Sequence, residues 1–171
     1  MIMIKLCIFD MDGLLVDTES AMWMKNGQTV LKKMGFEFND QFYRSLMGSN
    51  IDYAANLLDD YYGPTFSSKE YFRQVLELNR EQIKRHDLPI MKGAIELLTY
   101  LKENNIQTAI GTSTHRDLAY DMIDAIGIKD YIDKIVCGDE VQRSKPNPDI
   151  YLKVIEQFPD IKKDEEKRIK E

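Results

Sequence analysis

The residues best placed to do chemistry are Asp10 and Asp12, where the short apolar run from Met1 to Phe9 stops. They open the segment Asp10-Met11-Asp12-Gly13-Leu14-Leu15-Val16-Asp17-Thr18-Glu19. In an extended chain residues i and i+2 point the same way, so both carboxylates can face one small volume past the end of a strand. That is the layout of a phosphoryl-transfer nucleophile. Two carboxylates this close repel each other and any phosphate, which calls for a hard divalent cation with oxygen ligands. Mg²⁺ held by Asp10 and Asp12 is the expectation. A calcium loop starting at Asp10 fails on spacing, because it needs an oxygen ligand at Leu14, glycine at Leu15 and glutamate at Ala21. A plain acidic turn after a buried strand competes, and only the rest of the chain decides.

Two further segments bear on that decision. In Ile110-Gly111-Thr112-Ser113-Thr114-His115-Arg116-Asp117, Thr114 and Asp117 have the spacing of a capping box. The free N–H groups of the helix that starts there would face the same rim as Asp10, and a hydroxyl with helix-terminal amides suits a phosphate oxygen. An ordinary N-cap is the simpler reading of this segment alone. His115 and His86 are lone histidines, read as surface or packing residues. Farther along, Gly138-Asp139-Glu140-Val141-Gln142-Arg143-Ser144-Lys145-Pro146-Asn147-Pro148-Asp149-Ile150 puts Lys145 before a proline that favours an extended conformation, with Pro148 able to begin a helix. An ammonium held over the rim would neutralise nucleophile and phosphate. Alone, such a lysine reads as a solvated loop residue; the weight comes from the three segments together.

The elements that must position these groups follow from periodicity. After the first strand, residues 18 to about 87 show helical spacing broken at Met34-Gly35, Met47-Gly48-Ser49-Asn50 and Tyr62-Gly63-Pro64, which reads as about four helices. From Pro89 the pattern alternates: helix at about 93–104, strand from Gln107 to Gly111, helix at about 115–126, strand from Lys134 to Gly138, helix at about 148–158. Such alternation implies a parallel sheet with right-handed crossovers, and sites form at the carboxyl ends of its strands. The expected fold is α/β, a Rossmann-like core of residues 1–16 and 88–171 with an α-helical cap, 17–87, inserted after the first strand. The chain has 171 residues, 43% hydrophobic and 30% charged, enough for a core and a modest second unit. A net charge of -6 argues against nucleic acid or an anionic membrane as partner, so a phosphate site must be basic locally. Cys7 and Cys137 lie in apolar runs and read as reduced, buried thiols. No leader pattern or membrane-length apolar stretch stands out, and the expected location is the cytoplasm.

On these motifs the chain resembles the haloacid dehalogenase superfamily, in its phosphatase and phosphomutase branch with a helical cap. Phe9 through Glu19 match the family's opening almost letter for letter, Thr112 matches its second motif, and Lys145 within Ser-Lys-Pro-Asn-Pro-Asp-Ile-Tyr its third. The resemblance implies that Asp10 attacks phosphorus and becomes an aspartyl-phosphate. Asp12 would protonate the leaving oxygen and then activate water, Thr112 and Lys145 would bind phosphoryl oxygens, and Mg²⁺ would screen the charge. Asp12 also argues against the dehalogenase branch. The substrate implied is a small phosphorylated metabolite, such as a sugar or nucleoside monophosphate, contacted by Ser113 and by the cap residues Glu19, Gly48 to Asn50 and Arg80. A sugar phosphomutase is the alternative; the cap histidine of its best-known branch corresponds to Met22. The family's acidic fourth motif has no counterpart after Phe158, and Asp139-Glu140 precede Lys145 and read as a loop feature. The charged tail reads as a solvated end and the core as truncated, which would leave the metal site short of a carboxylate and could reduce the chain to a binding or assembly module. It would also leave Ile4, Leu6 and Ile8 on an unpaired edge, favouring self-association or strand exchange.

Overall fold

The computed structural model describes residues 4–47, 51–143, 145–161 and 166–169. Four strands, β1 (Leu6–Phe9), β2 (Gln107–Gly111), β3 (Lys134–Val136) and β4 (Glu166–Ile169), form one sheet in the order β3-β2-β1-β4, all parallel. Leu6, Cys7, Ile8 and Phe9 are all buried, the continuous apolar run that a central parallel strand requires. Register places Phe9 beside Ile110 and beside Ile169, and Gly111 beside Val136, so the carboxyl ends of the strands share a rim.

The expected unpaired edge on β1 is corrected here. The charged tail supplies β4, which pairs with β1 from Leu6↔Glu166 to Phe9↔Ile169. Charge had marked this segment as a solvated end, yet a ladder is made by main-chain groups, and an outer strand tolerates the charged residues that an inner one excludes. Nor are Leu6 and Ile8 uncovered: they pack with Ala109, Val136, Ile150, Tyr151, Val154 and Phe158. An exposed β1 edge therefore gives no ground for self-association.

The chain divides into two compact units, Met1–Asp17 with His86–Glu171, and Thr18–Arg85. The first holds the sheet and helices α5 (Ala94–Glu103), α6 (Arg116–Ala125) and α7 (Asp149–Glu156). α7 lies so close to β2 that a Cβ on Gly111 would sit 2.9 Å from Ile150 Cγ2. Where the chain leaves and re-enters this unit, Asp17 N–H donates to the Pro89 carbonyl and Met91 N–H to that of Leu15, both at 3.0 Å.

The second unit holds α1 (Lys25–Met34), α2 (Asp40–Ser45), α3 (Ile51–Tyr62) and α4 (Ser68–Lys84), with a π-helical turn, Glu19–Met24, running into α1. Its core joins Val30, Leu31, Tyr43, Leu58, Tyr71 and Val75, flanked by edge-on ring contacts of Phe36 with Tyr62 and Phe66. Asn39 and Ser67 cap α2 and α4 through their side chains. At its centre the hydroxyls of Tyr43 and Tyr71 bond to each other, and Tyr43 also donates to the Trp23 carbonyl at 3.1 Å. A Cβ on Gly27 would overlap both hydroxyls. Gly27→Ala is therefore expected to destabilise this unit by about 1–3 kcal/mol through overpacking. Alanine's helix preference of about 1 kcal/mol does not offset displacing a buried hydroxyl pair. Denaturant unfolding monitored by circular dichroism checks this. Burial raises the hydroxyl of Tyr71, and that of Tyr43 against their mutual hydrogen bond, above the ordinary phenol range. Above about pH 10 the unfolded chain releases protons that the folded one retains, so stability falls with rising pH. The unfolding midpoint is expected to drop between about pH 9 and 11, and less steeply in Tyr71→Phe.

Candidate active site

Asp10 and Asp12 occupy the first turn past β1. Met11 between them is fully buried and anchors the turn. The N–H groups of Leu14, Leu15 and Val16 converge on its carbonyl at 3.3, 2.9 and 3.2 Å, and Gly13 adopts φ +75°, a left-handed conformation that glycine accepts without strain. The chain thus doubles back directly behind Asp12 and leaves the carboxylates at the rim.

Asp10 Oδ1 accepts from Lys145 Nζ at 2.5 Å and from the Met11 N–H at 2.9 Å. This ion pair is largely withdrawn from water, the side chains of Lys145 and Asp10 being 19% and 23% exposed. The ammonium lies 5.2 Å from the ring centre of Tyr151. Arg143 grips Asp149 through two bonds of 2.9 and 2.7 Å, fastening the Lys145 loop to the first residue of α7 and holding the Asp149 carboxyl below its usual range. Pro148 sits at the N-cap of α7, one position earlier than the first helical residue.

Asp12 is held by two hydroxyls on one oxygen: its Oδ2 accepts from Thr112 Oγ1 at 3.0 Å and from Thr114 Oγ1 at 2.7 Å. Thr112 is fully buried, its N–H donates to the Val136 carbonyl at 3.0 Å, and its Oγ1 accepts the Thr114 N–H at 3.0 Å. The Gly138 N–H donates to the Thr114 carbonyl at 3.0 Å, and any Cβ at Gly138 would run into the Ser113 carbonyl. Glycine is required there for the loops after β2 and β3 to meet.

The site corrects the sequence reading at several points. Thr114 does not cap α6: the N-cap is His115, which makes no side-chain cap bond, and the Thr114 hydroxyl is turned to Asp12 instead. The Arg116 N–H is capped from the neighbouring loop by Asp139 Oδ1 at 2.8 Å, while Glu140 Oε1 accepts from the Arg116 guanidinium at 2.9 Å and the Cys137 N–H at 3.2 Å. Asp139-Glu140 thus hold the start of α6. Burial opposes ionisation of Asp139, but the Arg116 N–H, its own N–H and the nearby His115 and Arg116 together outweigh it, and the carboxyl lies below its usual range. His115 and His86 are exposed, as expected of surface residues, with His115 Nε2 3.9 Å from Asp139 Oδ2 and His86 Nδ1 3.3 Å from the Ala125 carbonyl. Burial, with Glu140 and Asp139 adding to it, pushes the Cys137 thiol up to about 11, which keeps it protonated.

Of the residues expected at the site, Asp10 is bonded to Lys145 and Asp12 to Thr112, and Ser113, next to Thr112 in the chain, is exposed. Glu19 and Arg80 belong to the second unit and are exposed there. Gly48 to Asn50 lie outside the described residues. Among the described residues no three His, Cys, Asp or Glu side chains assemble a metal cage. Among the described residues, the hydrogen bonds at this site fall on Asp10 Oδ1 and Asp12 Oδ2 and none on Asp10 Oδ2 or Asp12 Oδ1. Hard carboxylate oxygens of this kind fit Mg²⁺, which takes one or two protein carboxylates and completes its shell with water and phosphate.

Comparison with known proteins finds named phosphatases among the relatives. The chain is 29% identical over 151 residues to the phosphorylated carbohydrates phosphatase of Thermotoga maritima, covering 88% of this chain and 69% of that protein. It is 28% identical over 158 residues to the validoxylamine A 7'-phosphate phosphatase of Streptomyces hygroscopicus subsp. limoneus, covering 87% and 68%. Among the curated relatives it matches, the chain spans about two thirds of their length, 64% of one from Drosophila melanogaster and 65% of one from Caldanaerobacter subterraneus. The crystal structure of beta-phosphoglucomutase from Clostridium difficile superposes with a TM-score of 0.67 at 26% identity, over 99% of this chain and 77% of that one. No helix among the described residues is long and apolar enough to cross a membrane. The family model for haloacid dehalogenase-like hydrolases matches residues 7–167, and the chain belongs to that family.

Proposed function

We propose that this chain carries the catalytic core of a phosphatase that hydrolyses a small phosphorylated metabolite through an aspartyl-phosphate on Asp10. The observation behind this reading is the division of labour between carboxyl oxygens. Lys145 and the Met11 N–H occupy Asp10 Oδ1, leaving Oδ2 with its lone pairs for attack. The Thr112 and Thr114 hydroxyls occupy Asp12 Oδ2, leaving Oδ1 to carry a proton. In the first half-reaction Asp10 Oδ2 bonds to phosphorus, the ester P–O bond breaks, and the leaving oxygen takes the proton from Asp12. In the second, Asp12 accepts a proton from water as the water oxygen attacks phosphorus, and Asp10 is released with inorganic phosphate. Lys145 offsets negative charge gathering beside Asp10. The Asp10 carboxylate would hold Mg²⁺, with Asp12 beside it keeping Oδ1 for its proton; when bound, the cation supplies charge neutralisation between carboxylate and phosphate.

By their names, the Thermotoga relative acts on phosphorylated carbohydrates and the Streptomyces relative on validoxylamine A 7'-phosphate. A sugar phosphate is accordingly the substrate class to try first, nucleoside monophosphates second. A phosphomutase is less well supported: at the position of the mutase cap histidine stands Met22, a buried thioether with no proton to exchange. Buried thiols at Cys7 and Cys137 favour a cytoplasmic setting.

Phosphate release from an aryl phosphate and a panel of sugar and nucleoside monophosphates, with and without Mg²⁺, tests the reading. Asp10→Asn is expected to abolish release while leaving the unfolding midpoint nearly unchanged. Release that survives this substitution would overturn the proposed nucleophile. Lys145→Met is expected to lower kcat/KM by about 10²–10³, the usual scale for losing one group that stabilises developing charge.

A further inference from the structure

A threonine hydroxyl carries a single proton. Thr112 donates its proton to Asp12 Oδ2, so in this arrangement none is left for a phosphoryl oxygen. For Thr112 to bind the transferring group through its hydroxyl, it must let go of Asp12. Its N–H is fixed on the Val136 carbonyl, so rotating the hydroxyl redirects the proton without moving the chain.

When that happens, the remaining donor to Asp12 Oδ2 among the described residues is Thr114, whose bond of 2.7 Å is the shorter of the two. Its backbone is pinned on both sides, the N–H by Thr112 Oγ1 and the carbonyl by the Gly138 N–H, each at 3.0 Å. We propose that Thr114 is a positioning residue for Asp12, anchoring Oδ2 while Thr112 turns to the phosphoryl group so that Oδ1 presents its proton to the leaving oxygen. This inference rests on the phosphatase reading above and adds a residue to it. In the step concerned, the Asp10 Oδ2–P bond forms, the ester P–O bond breaks, and the departing alkoxide takes the Asp12 proton. Asp12 becomes a carboxylate whose Oδ2 is still hydrogen-bonded by Thr114.

The consequence is a dependence on leaving group. An activated phenol departs without help, whereas an alcohol requires the acid. The value of kcat/KM reports the transfer to Asp10 and is blind to the later hydrolysis. Thr114→Val, which keeps shape and removes the hydroxyl, is expected to lower kcat/KM by about 10- to 100-fold on an alkyl phosphate and less than about 3-fold on a nitrophenyl phosphate, part of the 10²–10⁴ that a positioned acid supplies. Thr114→Ser is expected to restore the alkyl value. Equal losses on both substrates, or no loss, would overturn the inference. Absence of Asp10-dependent hydrolysis in the unaltered protein would instead overturn the phosphatase reading, and the anchoring is then read without turnover. In protein labelled with ¹³C at aspartate carboxyls, the Asp12 resonance, assigned through Asp12→Asn, is expected to move in Thr114→Val and return in Thr114→Ser; an unmoved resonance sinks the proposal.

Discussion

The structure is organised around two carboxylates held at the end of one strand. Asp10 and Asp12 are two residues apart where β1 stops, and each is given its own partners: an ammonium and an amide for one, two hydroxyls for the other. Like charges so placed repel unless each is separately stabilised. Apart from the adjacent Met11 amide, the partners come from distant segments, with separations of 100 for Thr112, 102 for Thr114 and 135 for Lys145. A parallel sheet is the economical way to meet that demand, because it delivers the carboxyl ends of distant strands to one rim.

The rim needs its own support. Gly111 lets α7 approach β2, and α7 carries Tyr151, over whose ring Lys145 lies. Gly138 lets the loop after β3 meet the loop after β2, fixing the Thr114 carbonyl. Asp139 and Glu140 then hold the start of α6 from outside it. These are small or charged residues whose worth lies in what they permit nearby. Side chains held by fixed backbone and by bonds to one another need little reorganisation to meet developing charge, which is where electrostatic catalysis gains most.

Much of this was legible in the sequence because it depends on local signals. The β2 strand follows from a run of β-favouring residues ending in glycine, and the observed Gln107–Gly111 coincides with the expectation. Asp10, Asp12, Thr112 and Lys145 stood out only with the three segments taken together and through their resemblance to the family's motifs, since Thr112 and Lys145 each have an ordinary reading alone. What was not legible depends on partners distant in sequence. The tail, Glu166–Ile169, looks like solvated chain by charge and becomes a strand through main-chain pairing with β1. Thr114 has cap spacing with Asp117, yet a charged acceptor lies within reach of its hydroxyl and wins over its own helix, whose start Asp139 caps from another loop. A hydroxyl spaced two residues after Thr112 was the available clue, since in an extended segment such residues face the same side.

The measurement that bears most directly on this account is acid quenching of a single turnover with a ³²P-labelled sugar phosphate, followed by peptide mapping. The expected result is transient label on the peptide containing Asp10, reducible by borohydride as an acyl phosphate, with none in Asp10→Asn. Release of inorganic phosphate at full rate with no label ever attached to that peptide would contradict it.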